Sequence, residues 1–267
     1  MANKLKIIDT HFHIWDLEKQ DLPWLAGVPE TIKKTFTIQQ YIENYDKIED
    51  VDFVGGIYVE IDGKDPIQED EIIYNIKKNN SKLLATLLRS KVSPTMRVPA
   101  QSVGIREPLH TDDNPKGRCL EESFIEGLKE LADRGLIFES CNRVEELDDL
   151  YQALKQVPEL KVVLNHLGNP AELSEKYKKD MKNLASLPNL YVKVSGFATE
   201  DDKFVQELLE FIQETFDKDK LIYASNWPVV ELYSTFDKHL QIVRDFFNDD
   251  EDIFYNNVIK CYNLKIK

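Results

Sequence analysis

The sequence predicts an α/β protein, a (β/α)8 TIM barrel folded as a single domain over residues 1–267, and three observations predict it. Short strand-like runs alternate with longer stretches of helical period, which is the mark of βα units around a parallel sheet. Several of the runs (KVVL, LIYA, LYVKV) are continuously apolar, as expected of strands covered on both faces. Eight such units in 267 residues fit a closed barrel, for which roughly 250 residues is typical, better than an open doubly wound sheet.

The first run extends from Lys6 to Ile14 and the second from Val54 to Glu60, with Val54-Gly55-Gly56-Ile57 read as a tight entry from helix to strand. A helix opens at Asp65-Pro66-Ile67-Gln68, where Asp can cap, Pro suits the first turn and Gln68 is placed to complete a capping box. The third run covers Leu83 to Ser90, the fourth Ser102 to Leu109, the fifth Leu136 to Asn142 and the sixth Lys161 to His166. After the seventh, Leu190 to Phe197, a helix over Lys203 to Phe216 places Phe204, Val205, Leu208, Leu209, Ile212 and Phe216 on one stripe. The eighth run is Leu221 to Trp227. Two connections, 15–37 and 110–120, exceed plain turns and follow strand C-termini, where barrels build their sites, so they are lid candidates.

Composition narrows the function. The 34 Lys and Arg against 48 Asp and Glu give a net charge of −14, which removes the electrostatic footprint of a nucleic-acid binder. No stretch approaches the roughly 18 consecutive apolar residues of a membrane span, and Asp9 with two histidines interrupts what an export signal would need at the start. Three scattered cysteines, Cys119, Cys141 and Cys261, suit neither a disulfide framework nor a metal knuckle, so a reducing cytoplasm is the expected compartment. No GxSxG elbow, no GxxxxGK[ST] loop and no GxGxxG after a strand is present.

The polar residues at strand ends are the candidates for chemistry. His11 and His13 are two apart on the first strand, so both imidazoles face one side and can share one ion or one substrate, with Phe12 turned away. His166 ends the sixth strand just before Leu167-Gly168-Asn169-Pro170, which puts it at the barrel mouth. Glu60, Arg106, Lys193 and Ser195 take equivalent positions on the second, fourth and seventh strands, and Asn226 with Trp227 ends the eighth. Arg106 and Lys193 suit a carboxylate or a polyol, the first by bidentate bonding and the second as a point charge.

The segments DTHFHIWD, VGIR, NHLGNP, YVKVSG and ASNWP, in this order, resemble the amidohydrolase superfamily, in particular the amidohydrolase 2 branch with its sugar-acid lactonases and 2-pyrone-4,6-dicarboxylate lactonase. The likeness continues to IFYNNVIKCYNL, which resembles that branch's closing helix with its Asn and Tyr. The resemblance implies a distorted TIM barrel and a hydrolase that opens a sugar-acid or dicarboxylate lactone by attack of water on the ester carbonyl. His11, His13, His166 and Asn226 would be catalytic, and Glu60, Arg106, Lys193, Ser195 and Trp227 would bind substrate. In many relatives the His pair holds one or two divalent ions, which here would make His11 and His13 ligands of zinc or manganese. Several lactonases of the branch work without a tightly bound metal. With only five histidines, and none on the fifth run, this chain leans toward those.

One departure bears on activity. The family normally reads Ser-Asp-Trp-Pro where this chain has Ser225-Asn226-Trp227-Pro228, and Asn165 stands where relatives often have Asp. An amide can orient a water but cannot take its proton, which leaves His166 as the nearest acid/base by motif. Two further readings stay open: a catalytically impaired barrel that binds a small carboxylate or polyol, and a metal-dependent amide hydrolase.

Overall fold

A computed structural model describes residues 4–111 and 114–266. Eight parallel strands lie in chain order: β1 (Leu5–Phe12), β2 (Val51–Val59), β3 (Leu83–Arg89), β4 (Gly104–Glu107), β5 (Ile137–Ser140), β6 (Val162–Leu164), β7 (Leu190–Val194) and β8 (Leu221–Tyr223). Outside them run α1 (Ile38–Asp46), α2 (Pro66–Asn79), α3 (Glu122–Asp133), α4 (Leu147–Leu154), α5 (Glu175–Ala185), α6 (Asp202–Thr215), α7 (Phe236–Phe247) and α8 (Asn257–Tyr262). This is the (β/α)8 barrel expected from the sequence.

Each neighbouring pair from β1 to β8 forms a parallel ladder, but β8 and β1 meet through discrete bonds. Asn226 N donates to His11 O at 2.8 Å, His13 N donates to Trp227 O at 2.8 Å, and Thr10 Oγ1 donates to Tyr223 O at 2.7 Å. Asp9 fastens the same seam. Its carboxylate accepts from the backbone N–H of His11 (3.0 Å) and of Ser225 (2.9 Å), and from the hydroxyls of Tyr41 (2.8 Å), Tyr45 (3.0 Å) and Ser225 (2.5 Å). Buried entirely, Asp9 has its carboxyl pushed up by desolvation against the pull of these donors.

Ile8, Ile57, Val59, Ala85, Leu87, Val163 and Ile222 belong to one buried apolar cluster with Val258, Cys261 and Tyr262 of α8. A second, larger cluster joins the strands to the surrounding helices. Asn257 docks α8 by donating to Lys218 O (2.9 Å) and Leu221 O (3.0 Å), which gives the closing Asn its structural reason.

The strands begin and end differently from the apolar runs in instructive places. β6 and β8 stop two or more residues short of His166 and Trp227, where the backbone turns left-handed at His166 and Asn226 and leaves the ladder. β2 begins at Val51, so Val54-Gly55-Gly56-Ile57 lies inside the strand rather than at its entry. A Cβ on Gly56 would sit 2.3 Å from the Tyr41 hydroxyl and 2.9 Å from the Phe12 ring, so that glycine makes room for the aromatic seam. On α2 the Asp65 carboxylate caps Ile67 N and Gln68 N alone, whereas the reciprocal box forms at Thr37 and Gln40 on α1. The α6 stripe buries Val205, Leu208, Leu209 and Ile212 as its period requires. The 15–37 connection is a packed wall: Leu22, Leu25, Ile32 and Phe36 are buried, and Trp15 and Phe36 exchange backbone bonds. In the other long connection, Asp112 and Asp113 lie outside the described residues.

Candidate active site

A cavity of about 320 Å³ opens at the C-terminal ends of the strands, where His13, Glu60, Arg106, His166 and Asn226 all contribute to its wall. Such a concave site at this face of a parallel barrel is where ligands bind.

Three imidazoles converge beneath it. Nε2 of His11 and Nε2 of His13 are 3.0 Å apart, and the His11 and His166 ring centroids are 4.6 Å apart. The partners on the far sides of the first pair fix its protons. Val59 O, 2.9 Å from His13 Nδ1, can only accept, so Nδ1 carries the hydrogen and neutral His13 presents a bare Nε2. Lys193 Nζ, 3.1 Å from His11 Nδ1, donates to it, so the His11 hydrogen sits on Nε2 and points at His13. One directed chain results: Lys193 to His11 to His13 to the Val59 carbonyl.

Lys193 is sealed in the barrel interior on β7, ion-paired with Glu139 of β5, whose Oε1 also accepts from the Tyr262 hydroxyl at 2.9 Å. Burial lowers the Lys193 pKa against the pull of Glu139. Burial also holds the imidazoles neutral, with help from the nearby cations. His11 is lowered well below its usual value by desolvation and then by Lys193, His13 falls to about 3 by desolvation and then Arg106, and His166 is driven down by desolvation, Arg106 and Lys193.

His166 occupies a left-handed turn, with φ of 53° at His166, 52° at Leu167, 78° at Gly168 and 57° at Asn169. Its Nδ1 bonds Ser195 Oγ at 2.9 Å. The serine hydroxyl rotates, so this bond accepts either tautomer and Nε2 can serve as acceptor or donor. Gly196, at φ 72°, closes over the ring: a Cβ there would lie 2.4 Å from His166 Cβ and 2.8 Å from its Nδ1. Arg106 is ion-paired with Glu60, and its Nε donates to Asn165 Oδ1 at 3.0 Å. Among the described residues its Nη2 has no partner, leaving one guanidinium donor for the cavity.

Not every residue at a strand end reaches the cavity. His11, Lys193 and Ser195 lie behind it, where they hold His13 and His166, and substrate contact by Lys193 or Ser195 is therefore corrected to support from below. Trp227 packs against Phe36 and Tyr41 at centroid distances of 5.2 and 5.7 Å, in the apolar cluster outside the cavity wall. Sequence reasoning passed over Trp24, His110, Cys141 and Asn169, all of which line the cavity. The signals were faint: Cys141 is buried within the fifth run, His110 opens a long connection, and the Trp24 indole is fixed by contacts distant in sequence, its 2.8 Å bond to Ile61 O and its edge-on packing with Trp15.

Comparison with known proteins agrees with the architecture. Residues 99–264 match the profile of the Amidohydrolase family. The fold superposes with a TM-score of 0.91 on the structure of amidohydrolase 2 from Bifidobacterium longum subsp. infantis, at 45% identity over 98% of this chain and 100% of that one. The L-rhamnono-gamma-lactonase of Scheffersomyces stipitis is 23% identical over 98% of this chain and 100% of its own length. An amidohydrolase from Burkholderia multivorans solved with bound zinc shares the fold with a TM-score of 0.84 at 18% identity, over 97% of this chain and 99% of that one.

The donors here do not fit a closed zinc centre. Two Nε2 atoms 3.0 Å apart supply half of a tetrahedral set, but among the described residues no group of three or more His, Cys, Asp or Glu is arranged to hold an ion. The nearest carboxylate on β1, Asp9, is spent on the seam, and Lys193 and Arg106 bring positive charge toward the imidazoles.

Proposed function

The chain belongs to the amidohydrolase family, and we propose that its cavity hydrolyses the ring ester of a neutral, hydroxyl-rich lactone of the sugar-acid kind. The observation that carries this reading is His166: a neutral imidazole in the cavity wall, held at Nδ1 by Ser195, with Nε2 free of protein partners among the described residues.

The chemistry is acyl transfer to water. With Nδ1–H donating to Ser195, His166 Nε2 takes a proton as a water attacks the lactone carbonyl, and the same imidazolium returns it to the departing ring oxygen. The C–O ring bond breaks, the water oxygen joins the carbonyl carbon, and the product is a hydroxy acid whose new carboxyl then ionises and releases one proton per turnover. Arg106 Nη2 is the donor placed to stabilise charge on the carbonyl oxygen. Asn226 lines the cavity and bonds toward His13, where it can orient the water without taking its proton. This route draws on no metal ion, in keeping with the donor set.

Charge supports the neutral ring over a dicarboxylate. Glu60 is paired with Arg106, and Asp62, also in the wall, is paired with Arg89. Among the described residues of the wall, the guanidinium of Arg106 is thus already neutralised before a carboxylate substrate arrives, while carboxylates, amides and the hydroxyl of Tyr233 suit a polyol. The named lactonase relative points the same way.

The test is proton release on a panel of aldonolactones and pyrone lactones, with His166→Gln alongside. Turnover of an aldonolactone that falls by about 100-fold or more in the variant is expected from loss of a general acid/base. Restoring a carboxylate with Asn226→Asp supplies a second base and should raise turnover about tenfold or more. Absence of turnover in all three proteins, with lactone still bound, would replace the hydrolase reading by a binding one.

A further inference from the structure

Glu60 is the carboxylate that the sequence offers for binding substrate, but both of its oxygens already accept within the protein. Oε1 is paired with Arg106, and Oε2 accepts from the backbone N–H of Asp62 at 2.7 Å. Asp62 is the other carboxylate among the described residues of the cavity wall, and the hydrolytic route does not use it. It also borders a neighbouring cavity of about 370 Å³, and Arg89, which holds its Oδ1, lines that cavity and not the main one. Among the described residues Oδ2 has no partner, and the side chain remains 25% exposed.

The backbone under this oxygen is held in one unusual conformation. Asp62 stands at φ 50°, in the left-handed region that glycine and asparagine enter more readily than other residues. Side chains from several elements keep it there. Glu69 of α2 accepts from the backbone N–H of Ile61 at 3.1 Å and from the Tyr58 hydroxyl at 2.9 Å. Trp24, on the 15–37 connection, donates its indole N–H to Ile61 O at 2.8 Å, and Arg89 at the end of β3 donates to Gly63 O as well as to Asp62. A strained residue fixed from all sides is the kind of backbone that persists at functional sites. The result is an acceptor-only group, anchored at one oxygen and open at the other, whose side chain gives up little freedom on meeting a ligand.

We propose that Asp62 is a specificity-determining residue of the cavity: its open Oδ2 accepts from a hydroxyl of the substrate, so that hydroxylated rings are taken in preference to bare ones. The identity of the ring as a lactone rests on the hydrolase reading above, whereas recognition of its hydroxyl does not require turnover. A bare ring leaves the oxygen unmatched, and a substrate carboxylate would meet it with like charge and no hydrogen to give. His166 and Arg106 serve the reacting carbonyl, so the Asp62 bond is made equally before and during the chemistry and lowers KM without raising kcat.

The experiment uses the full chain and two variants that suit the left-handed backbone, Asp62→Asn and Asp62→Gly. Each is assayed on the fastest aldonolactone of the panel and on the bare ring of the same size, γ-butyrolactone or δ-valerolactone. The unaltered protein should favour the hydroxylated ring in kcat/KM by about 100-fold or more. Both variants should lose about tenfold or more of that preference, as expected for one hydrogen bond to a charged group, through KM for the aldonolactone and with little change in kcat or in the bare ring. Equal losses on both rings would assign Asp62 to the fold alone, and an unchanged preference would assign the hydroxyls to other groups; either result overturns the proposal. The two readings fail separately. If neither ring is hydrolysed the hydrolase reading falls, and the comparison passes to dissociation constants by calorimetry. Aldonolactone binding that weakens about tenfold or more in Asp62→Asn still supports the role of Asp62, whereas no binding, or binding indifferent to the substitution, overturns it.

Discussion

Nζ of Lys193 lies 3.1 Å from Nδ1 of His11, so the proton arrangement of the histidine pair is set from inside the barrel, by a residue behind the cavity wall. The same ammonium neutralises Glu139, whose Oε2 is otherwise without a partner in the interior.

Lys193→Met should therefore destabilise strongly, by about 3–5 kcal/mol, because it strands a buried carboxylate. The paired change Lys193→Met with Glu139→Leu should recover most of that loss in urea denaturation. Turnover should stay low in the recovered protein, since His11 is freed to change tautomer. A paired variant with full turnover would show that Lys193 serves only the core.

Gly196→Ala tests the roof over His166. The alanine must adopt φ 72° and place its Cβ 2.4 Å from His166 Cβ, so the imidazole has to move. We expect a stability loss of about 1–3 kcal/mol and a fall in kcat of tenfold or more with little change in KM. Unchanged kcat would mean that the position of His166 is unimportant to the reaction.

Acid should destabilise the fold. His13 at about 3, His239 at about 4, and His11 and His166 well below their usual values all remain neutral in the native state, whereas in the unfolded chain they protonate near pH 6.5. Below that pH the unfolded state binds more protons, so stability falls as pH falls, by up to about 1.4 kcal/mol per pH unit for each histidine. Glu69, raised to about 8 by burial beside Glu60, and Asp9, also raised by burial, act in the opposite sense. Asp70, Asp149, Glu231 and His110 are raised as well and add to that opposition, but four lowered imidazoles stand against one raised imidazole over the interval in which imidazoles titrate, so the urea midpoint should drop between pH 7 and pH 5. A midpoint that holds or rises over that interval would contradict neutral imidazoles.

Metal content offers a direct check on the donor set. Protein purified without added metal should carry well under one equivalent of zinc or manganese by elemental analysis, and dialysis against a chelator should leave lactone turnover and the urea midpoint unchanged. Stoichiometric metal whose removal abolishes activity would reinstate His11 and His13 as ligands.

Much of this was legible in the chain. The count of βα units follows from local periodicity, since a strand buried on both faces must be apolar throughout, as β6 and β8 show. The convergence of His11, His13 and His166 follows from two general facts: residues two apart share a strand face, and strand C-termini share one end of a barrel. What the sequence could not assign was depth. Lys193, Ser195 and Trp227 stand at strand ends as Arg106 does, yet only Arg106 lines the cavity, because a partner elsewhere in the chain captures each of the others: Glu139, His166 and the Phe36–Tyr41 aromatic cluster.

The sequence by itself determined the barrel and the ring of polar residues at its mouth, because both follow from the period of side chains along a strand. Tertiary structure alone decided which of those residues face the cavity and which nitrogens of His11 and His13 carry their hydrogens. Those depend on contacts between segments far apart in the chain, such as the 182 positions that separate His11 from Lys193, and no local spacing encodes them.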